Sequence, residues 1–311
     1  ASVMNAIDPS VMADPVTGKW WMHYGSFFGG LYCVALDPET GLPAEEGDQG
    51  HLTARRANYQ KDNLEAPEII YNPDLKQYYL FVSYDPLMTT YNVWVGRSDK
   101  AEGPFVDFSG VELKDTTNNF PILTAPYRFH NHPGWAGTAH CSVFTSDEGQ
   151  YFMAHQGRLS PHNQMMDLHL RQVFFTPDGW PVVSPERYTG CVSRKFSAED
   201  MAGEWEVIRI QEPAYERRLQ AGQILWGEGQ LKEEEWNVSH LLSLEKNGHL
   251  GENKGTWELL EAKQLLSLTL EGEIINNLII FAGHDWENEK ETVLFTGLDS
   301  RGRSIWGKRI K

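Results

Sequence analysis

A chain of 311 residues is long enough for two ordinary domains, and its 41% hydrophobic and 23% charged content makes it globular rather than disordered. The formal net charge of −16 argues against a nucleic-acid partner, because a phosphate backbone needs a basic groove; it is compatible with a neutral polymer. Three well-separated cysteines, Cys33, Cys141 and Cys191, with no CxxC pair, exclude a zinc ribbon or a disulfide framework, and no apolar run approaches the roughly 18 residues of a membrane span.

The start, Ala1-Ser-Val-Met, carries no charged n-region or apolar h-region, so no signal peptide is visible in it. Three segments then repeat one pattern. The first is Asp8-Pro-Ser-Val-Met-Ala-Asp-Pro-Val-Thr-Gly-Lys-Trp-Trp-Met-His-Tyr. The second is Ala66-Pro-Glu-Ile-Ile-Tyr-Asn-Pro-Asp-Leu-Lys-Gln-Tyr-Tyr-Leu-Phe-Val. The third is His140-Cys-Ser-Val-Phe-Thr-Ser-Asp-Glu-Gly-Gln-Tyr-Phe-Met-Ala-His. Each is a short apolar strand, a polar turn and an aromatic-rich strand, which is a hairpin signal. Val11, Ile69 and Val143 hold equivalent places. Further strands follow each hairpin, at Leu31-Tyr-Cys-Val-Ala-Leu, Tyr91-Asn-Val-Trp-Val-Gly-Arg and Leu168-His-Leu-Arg-Gln-Val-Phe-Phe. A hairpin recurring at this scale predicts propeller blades, each roughly 40–50 residues before insertions. The competing architecture is a meander sandwich.

From about Phe196 the character changes. Trp205-Glu-Val-Ile-Arg-Ile, Leu266-Ser-Leu-Thr-Leu, Asn277-Leu-Ile-Ile-Phe-Ala and Val293-Leu-Phe-Thr-Gly read as half-buried strands separated by Gly, Asp and Asn. The expectation is an all-β chain: part of a propeller over residues 1–193, with about three blades, followed by an antiparallel sandwich or barrel over 194–311. Exposed Trp205, Trp236, Trp257 or Trp306 would make the second unit a binding module, and buried ones a packing module. Asn237-Val-Ser fits a glycosylation sequon.

In a propeller the inner strands converge on one channel mouth, so Asp8, Glu65 and His140 are expected to meet there, with Glu65 offset by one position. A pair of carboxylates suits glycosidic cleavage: one feeds a proton to the leaving oxygen, and a like charge nearby resists its ionisation. Taken singly, Asp8 could simply open an Asp-Pro turn and Glu65 could be a loop residue. Asp107, Asp115 and Asp167 are further carboxylates that could face Glu65. His130 and His132 form an HxH pattern that reads as a loop pair, with a zinc site as the lesser alternative.

Several stretches together resemble the glycoside hydrolase family 43 arabinanases. They are Asn5-Ala-Ile-Asp-Pro, Gly25-Ser-Phe-Phe-Gly-Gly-Leu, Glu65-Ala-Pro-Glu-Ile-Ile-Tyr, Tyr91-Asn-Val-Trp-Val-Gly-Arg-Ser, Ala139-His-Cys-Ser-Val-Phe and Asp178-Gly-Trp-Pro-Val-Val-Ser-Pro-Glu-Arg-Tyr. The resemblance runs over nearly the whole chain and includes a C-terminal β-domain ending in a Gly-Leu-Asp…Trp-Gly-Lys stretch. It implies a five-bladed propeller that hydrolyses α-1,5-linked arabinan with inversion. Glu65 would be the general acid, and Asp8 the carboxylate that tunes and orients it. Ser26 and Phe27 would line sugar subsites. His140 would face an ion, calcium or sodium, in the central channel. The implied partner is arabinan or an arabino-oligosaccharide, with no nucleic acid and no membrane, in an extracellular or periplasmic setting. Two departures matter. No His-Asp-Pro-type segment carries the family's general base, so the chain is expected to be N-terminally incomplete and nearly inactive alone. Cys141 stands where the family more often has Asn. The remaining alternatives are a relative acting on xylan or arabinofuranosyl side chains, and a non-catalytic carbohydrate-binding propeller.

Overall fold

The computed structural model describes residues 5–56, 63–115, 120–192, 194–211, 230–270 and 272–311. Ala1–Met4 and Ser193, at the edges of the predicted first unit, lie outside the described residues. The described chain is all-β, with a single four-residue α-helix, α1 (Ala198–Met201).

The three predicted hairpins each open a sheet. The first is β1 (Ser10–Ala13), β2 (Trp20–Tyr24), β3 (Leu31–Leu36) and β4 (His51–Ala54), paired in chain order. The second is β5 (Leu64–Asn72), β6 (Gln77–Tyr84), β7 (Asn92–Ser98) and β8 (Ile122–Thr124), paired likewise. The third is built on β12 (Tyr151–Leu159), β13 (Asp167–Phe175) and β14 (Pro181–Val183). On the other side of β12 lie β11 (Ser142–Thr145) and the short strands β9 (Tyr127–Arg128) and β10 (Trp135–Ala136). The registers make the repeat literal. Ser10 lies opposite His23, Glu68 opposite Phe81 and Ser142 opposite Ala154, so each first strand enters its sheet at the same place. Apolar side chains from the middle sheet, including Tyr79, Phe81 and Trp94, form the centre of the core between the sheets.

The second unit resolves the sandwich-or-barrel choice as a closed barrel. It comprises β15 (Gly203–Arg209), β17 (His240–Leu244), β18 (His249–Leu250), β19 (Gly255–Leu260), β20 (Leu265–Leu270), β21 (Glu273–Asp285), β22 (Lys290–Leu298) and β23 (Ser304–Arg309). Closure removes the sheet edges that an open antiparallel sheet would present. Trp205, Leu242, Leu268, Ile275 and Phe295 fill the barrel from inside. The outward-facing Ile208, Ile210 and Trp306 join the core of the sheet unit instead. Between the two units, β16 (Asn237–Val238) adds in parallel to β9, and Ser304 and Thr296 hydroxyls donate to the Ile122 and Val183 carbonyls.

The four tryptophans are all buried, which identifies them as packing residues. The Trp205 indole N–H donates to the Met201 carbonyl, and Trp236 lies under the Arg128 guanidinium. The sequon reading fails for a physical reason: the Asn237 amide is buried and donates to the Pro126 carbonyl. The HxH pair is a loop feature, as expected. The His130 N–H donates to Glu206, and His132 stacks on Trp135 while accepting from the Gly134 N–H.

Candidate active site

Three non-glycine residues take the left-handed backbone conformation at the same place in the three sheets. They are Asp8 (φ 54°), Ala66 (φ 52°) and His140 (φ 55°), each two positions before the register match at Ser10, Glu68 and Ser142. Such backbone is uncommon for residues with a Cβ and persists where surrounding structure over-determines it. In the middle strand the ladder slips between Glu65 and Glu68, and this irregularity presents Glu65 one step before the left-handed residue. That is the one-residue offset expected from the alignment.

The half-buried Glu65 carboxylate is held on both oxygens by hydroxyl groups. Ser26 Oγ donates to Oε2 at 2.9 Å and Tyr91 Oη donates to Oε1 at 2.6 Å. Tyr91 is fully buried. Burial, and then the negative charge of Glu65, push its phenol well above the ordinary tyrosine range, so it stays a protonated donor. Its oxygen also lies 3.3 Å from His140 Nδ1. The His140 backbone N–H donates to Ser83 Oγ at 2.9 Å, and Asp8 Oδ2 accepts from the Ala66 N–H at 3.3 Å. Asp8, Glu65 and His140 are thus joined through one set of contacts that crosses all three sheets.

The loop supplying Ser26 depends on two glycines. Gly25 (φ 128°) and Gly30 (φ 100°) each pass so close to backbone that a Cβ would meet a carbonyl oxygen at 2.6 and 2.4 Å. Between them Ser26 is buried against Glu65. Phe27 is turned inward, and the exposed aromatic side chain of this loop belongs to Phe28 at 44%. A cleft of about 580 Å³ opens beside the site, lined by Asp8, Glu68, His140, Ser142, His155 and Asp167 among others. Asp107 is buried in a turn, accepting from the Ser109 and Val111 N–H groups, and Asp115 sits in the turn after Glu112. Of the three candidate carboxylates, Asp167 is the one that lines this cleft.

Sequence reasoning missed Tyr91, Ser83, Glu68 and His155. His155 forms a buried wall of the cleft. Burial, and then the charge of Arg171, hold its imidazole down to about 3, so it is neutral and accepts from the Arg171 guanidinium at 2.9 Å. No local motif marks these residues: Ser83 and Glu68 meet partners from other sheets, and Tyr91 and His155 meet theirs across the strands of one sheet.

The residues around His140 do not by themselves fit a hard cation. Such an ion wants several oxygen ligands. Among the described residues, no two further carboxylate, imidazole or thiolate side chains gather with His140 within 4.8 Å. The neighbouring Cys141 thiol is a soft ligand that a hard cation disfavours, and burial pushes it up. No chemical step is therefore routed through an ion here.

Residues 2–181 match the glycosyl hydrolases family 43, and residues 185–307 match a C-terminal lipocalin-like domain. The chain belongs to glycoside hydrolase family 43. This family 43 chain is 30% identical, over 99% of its length, to the extracellular endo-α-(1→5)-L-arabinanase of Thermotoga petrophila. It is 27% identical, over 98% of its length, to extracellular endo-α-(1→5)-L-arabinanase 2 of Bacillus subtilis. It spans 64% of the length of each of these curated relatives. The crystal structure of endo-1,5-α-L-arabinanase from Thermotoga petrophila superposes with a TM-score of 0.83 at 26% identity, covering 100% of this chain and 69% of that one. No helix among the described residues is long and apolar enough to cross a membrane.

Proposed function

We propose that the cleft is the acid side of an inverting hydrolase acting on α-1,5-linked L-arabinofuranosyl bonds of arabinan. Glu65 is the general acid, Asp8 its modulating and orienting partner, and Ser26 and Phe27 belong to the sugar subsites. The observation that carries this reading is the double hydroxyl clamp on Glu65, next to Ala66 in the wall of a carboxylate-lined cleft of a family 43 chain. A 2.6 Å contact to a phenol that stays protonated serves a carboxyl group in either state. Tyr91 donates to the ionised form, and can accept from the protonated one while pointing its own hydrogen at His140 Nδ1. Glu65 therefore has a partner both before and after it gives a proton to a leaving oxygen.

In this reading residues 1–193 are three blades of a five-bladed propeller and 194–311 an ancillary barrel. An ion at His140, calcium or sodium, would be held mainly by water. The relatives named extracellular support an extracellular setting. The test is product release from debranched arabinan by this chain and its Glu65→Gln variant, with xylan and aryl arabinofuranoside as comparison substrates. A general acid contributes about 10²- to 10⁴-fold, so loss on that scale in Glu65→Gln is expected wherever wild-type turnover is measurable. Equal turnover by the two proteins would overturn the role of Glu65. Preference for xylan would move the substrate to the related class.

A further inference from the structure

The register matches Ser10, Glu68 and Ser142 stand at equivalent places in β1, β5 and β11, but only the middle one is a carboxylate. Glu68 Oε2 accepts from Ser10 Oγ at 2.7 Å. Glu68 Oε1 accepts from Ser142 Oγ at 2.8 Å and from the Val143 N–H at 2.9 Å. Ser10 Oγ in turn accepts from the Ile69 N–H at 3.2 Å. The backbone pairings of β5 run to β6 and not to β1 or β11, so at this level the three first strands are tied together by side chains. Nearer the site, β5 is tied to the first sheet and its β2–β3 loop by the Asp8 contact to the Ala66 N–H, by the Ser26 hydroxyl on Glu65 and by the Phe27 N–H on the Leu64 carbonyl.

We propose that Glu68 is a positioning residue of the site: by clasping the equivalent serines of the two flanking sheets it fixes the mutual placement of Asp8, Glu65 and His140. The chemistry suits a carboxylate. Two oxygens with about four lone-pair directions can serve three donors from two strands at once, and bonds to a charged acceptor are the stronger kind. The geometry suits the role as well. Glu68 closes the irregularity that Glu65 opens in β5, so a shift of Glu68 toward or away from its neighbours is passed to Glu65 through the backbone of Ala66 and Pro67 alone. The functional part of this inference rests on the reading of the cleft as the acid side of a hydrolase.

The test uses the whole chain with carboxyl-¹³C-labelled Glu and Asp, as wild type, Glu68→Gln, Glu68→Ala and Ser142→Ala. Glu68→Ala is expected to move or split the Glu65 and Asp8 carboxyl resonances. Where turnover is measurable, it is expected to lower kcat by about 10²-fold with little change in KM, the scale of a small misplacement of reacting groups. Glu68→Gln keeps an oxygen for Ser142 and Val143 and should return the resonances close to wild type. If Glu68→Ala does not fold, Ser142→Ala, which removes one bond, should produce the smaller version of the same shift. A Glu68→Ala or Ser142→Ala protein that loses thermal stability but keeps the Glu65 and Asp8 resonances in place would reduce Glu68 to a structural residue and overturn the proposal. Failure of the functional reading looks different: wild-type Glu65 and Asp8 resonances would ignore added α-1,5-arabinotriose while the Glu68 variants still moved them.

Discussion

Around the cleft, Asp8, Glu65 and Glu68 are held by neutral donors, namely the hydroxyls of Ser10, Ser26, Tyr91 and Ser142 and the N–H groups of Ala66 and Val143. At the junction of the sheet unit with the barrel, three other carboxylates, Glu186, Asp285 and Glu287, converge instead on one ammonium, Lys308. Its Nζ lies 2.9 Å from both Glu186 and Asp285, also contacts Glu287, and sits 3.9 Å from the centre of the Phe129 ring. All four junction side chains are buried to within 7% of complete. The difference separates a site from a staple. A half-buried carboxyl group with hydroxyl partners can gain or lose a proton without stranding an ion. The buried lysine cannot lose all of its carboxylate partners in this way, because its own charge would then be uncompensated. The junction carboxylates are near enough to one another to hold a metal ion, but the Lys308 ammonium already sits among them.

The largest expected effect comes from removing that lysine. Lys308→Met should destabilise the protein by about 3–5 kcal/mol, the cost of breaking a buried ion pair from one side, read as a fall in urea midpoint at unchanged slope. If Lys308→Met cost no more than the removal of a single cleft hydroxyl, the two regions would not differ as argued. Combining Lys308→Met with Glu186→Gln and Glu287→Gln should recover much of the loss, since the stranded carboxylates are the source of it.

A second test uses pH. Burial, opposed by Lys308 and reinforced by Glu287, raises the Glu186 carboxyl well above the ordinary glutamate value of 4.5. A raised folded value means that the folded state binds more protons. The stability from Glu186 is therefore fully present below 4.5 and is lost as pH rises through the raised value. Asp285 acts in the other direction: although burial opposes it, the bond to Lys308 holds its carboxyl below 3.8, so its contribution is lost only in stronger acid. Thermal midpoints should fall from mildly acidic toward alkaline pH in the wild type, and Glu186→Gln should flatten that fall. An unchanged slope in Glu186→Gln would place the titrating group elsewhere.

The same contrast explains how much of the molecule was legible in its sequence. The hairpins were readable because a strand, a polar turn and an aromatic strand are local, and three copies fix one register. Asp8, Glu65 and His140 were readable because each opens such a copy. The clasp at Glu68 looked like one more polar residue in an alternating strand, since Ser10 and Ser142 lie in other sheets. Tyr91 read as a strand residue because its partners Glu65 and His140 are 26 and 49 residues away along the chain. Lys308, in Trp306-Gly-Lys, gave no sign that its ammonium is fully buried, because its three partners come from the end of the third sheet and from the β21–β22 turn. Local chemistry is written in the sequence, whereas partners that meet only through sheet stacking are not.

The smallest expected effect lies in the cleft. Tyr91→Phe removes one neutral donor from a carboxylate that keeps its Ser26 bond, and the ring still fills its buried place. The cost should be about 0.5–1.5 kcal/mol, well below that of Lys308→Met. Two features make the outcome informative. Glu65 is half-buried and keeps its Ser26 bond, so the loss should fall at the lower end of the range. The contact to His140 Nδ1 goes with it, so the His140 ring resonances should move although the backbone bond to Ser83 remains. A loss approaching that of Lys308→Met would mean that the Glu65 carboxylate is bound to its partners as tightly as the junction charges are to theirs, and a group held that tightly could not pass a proton to a substrate.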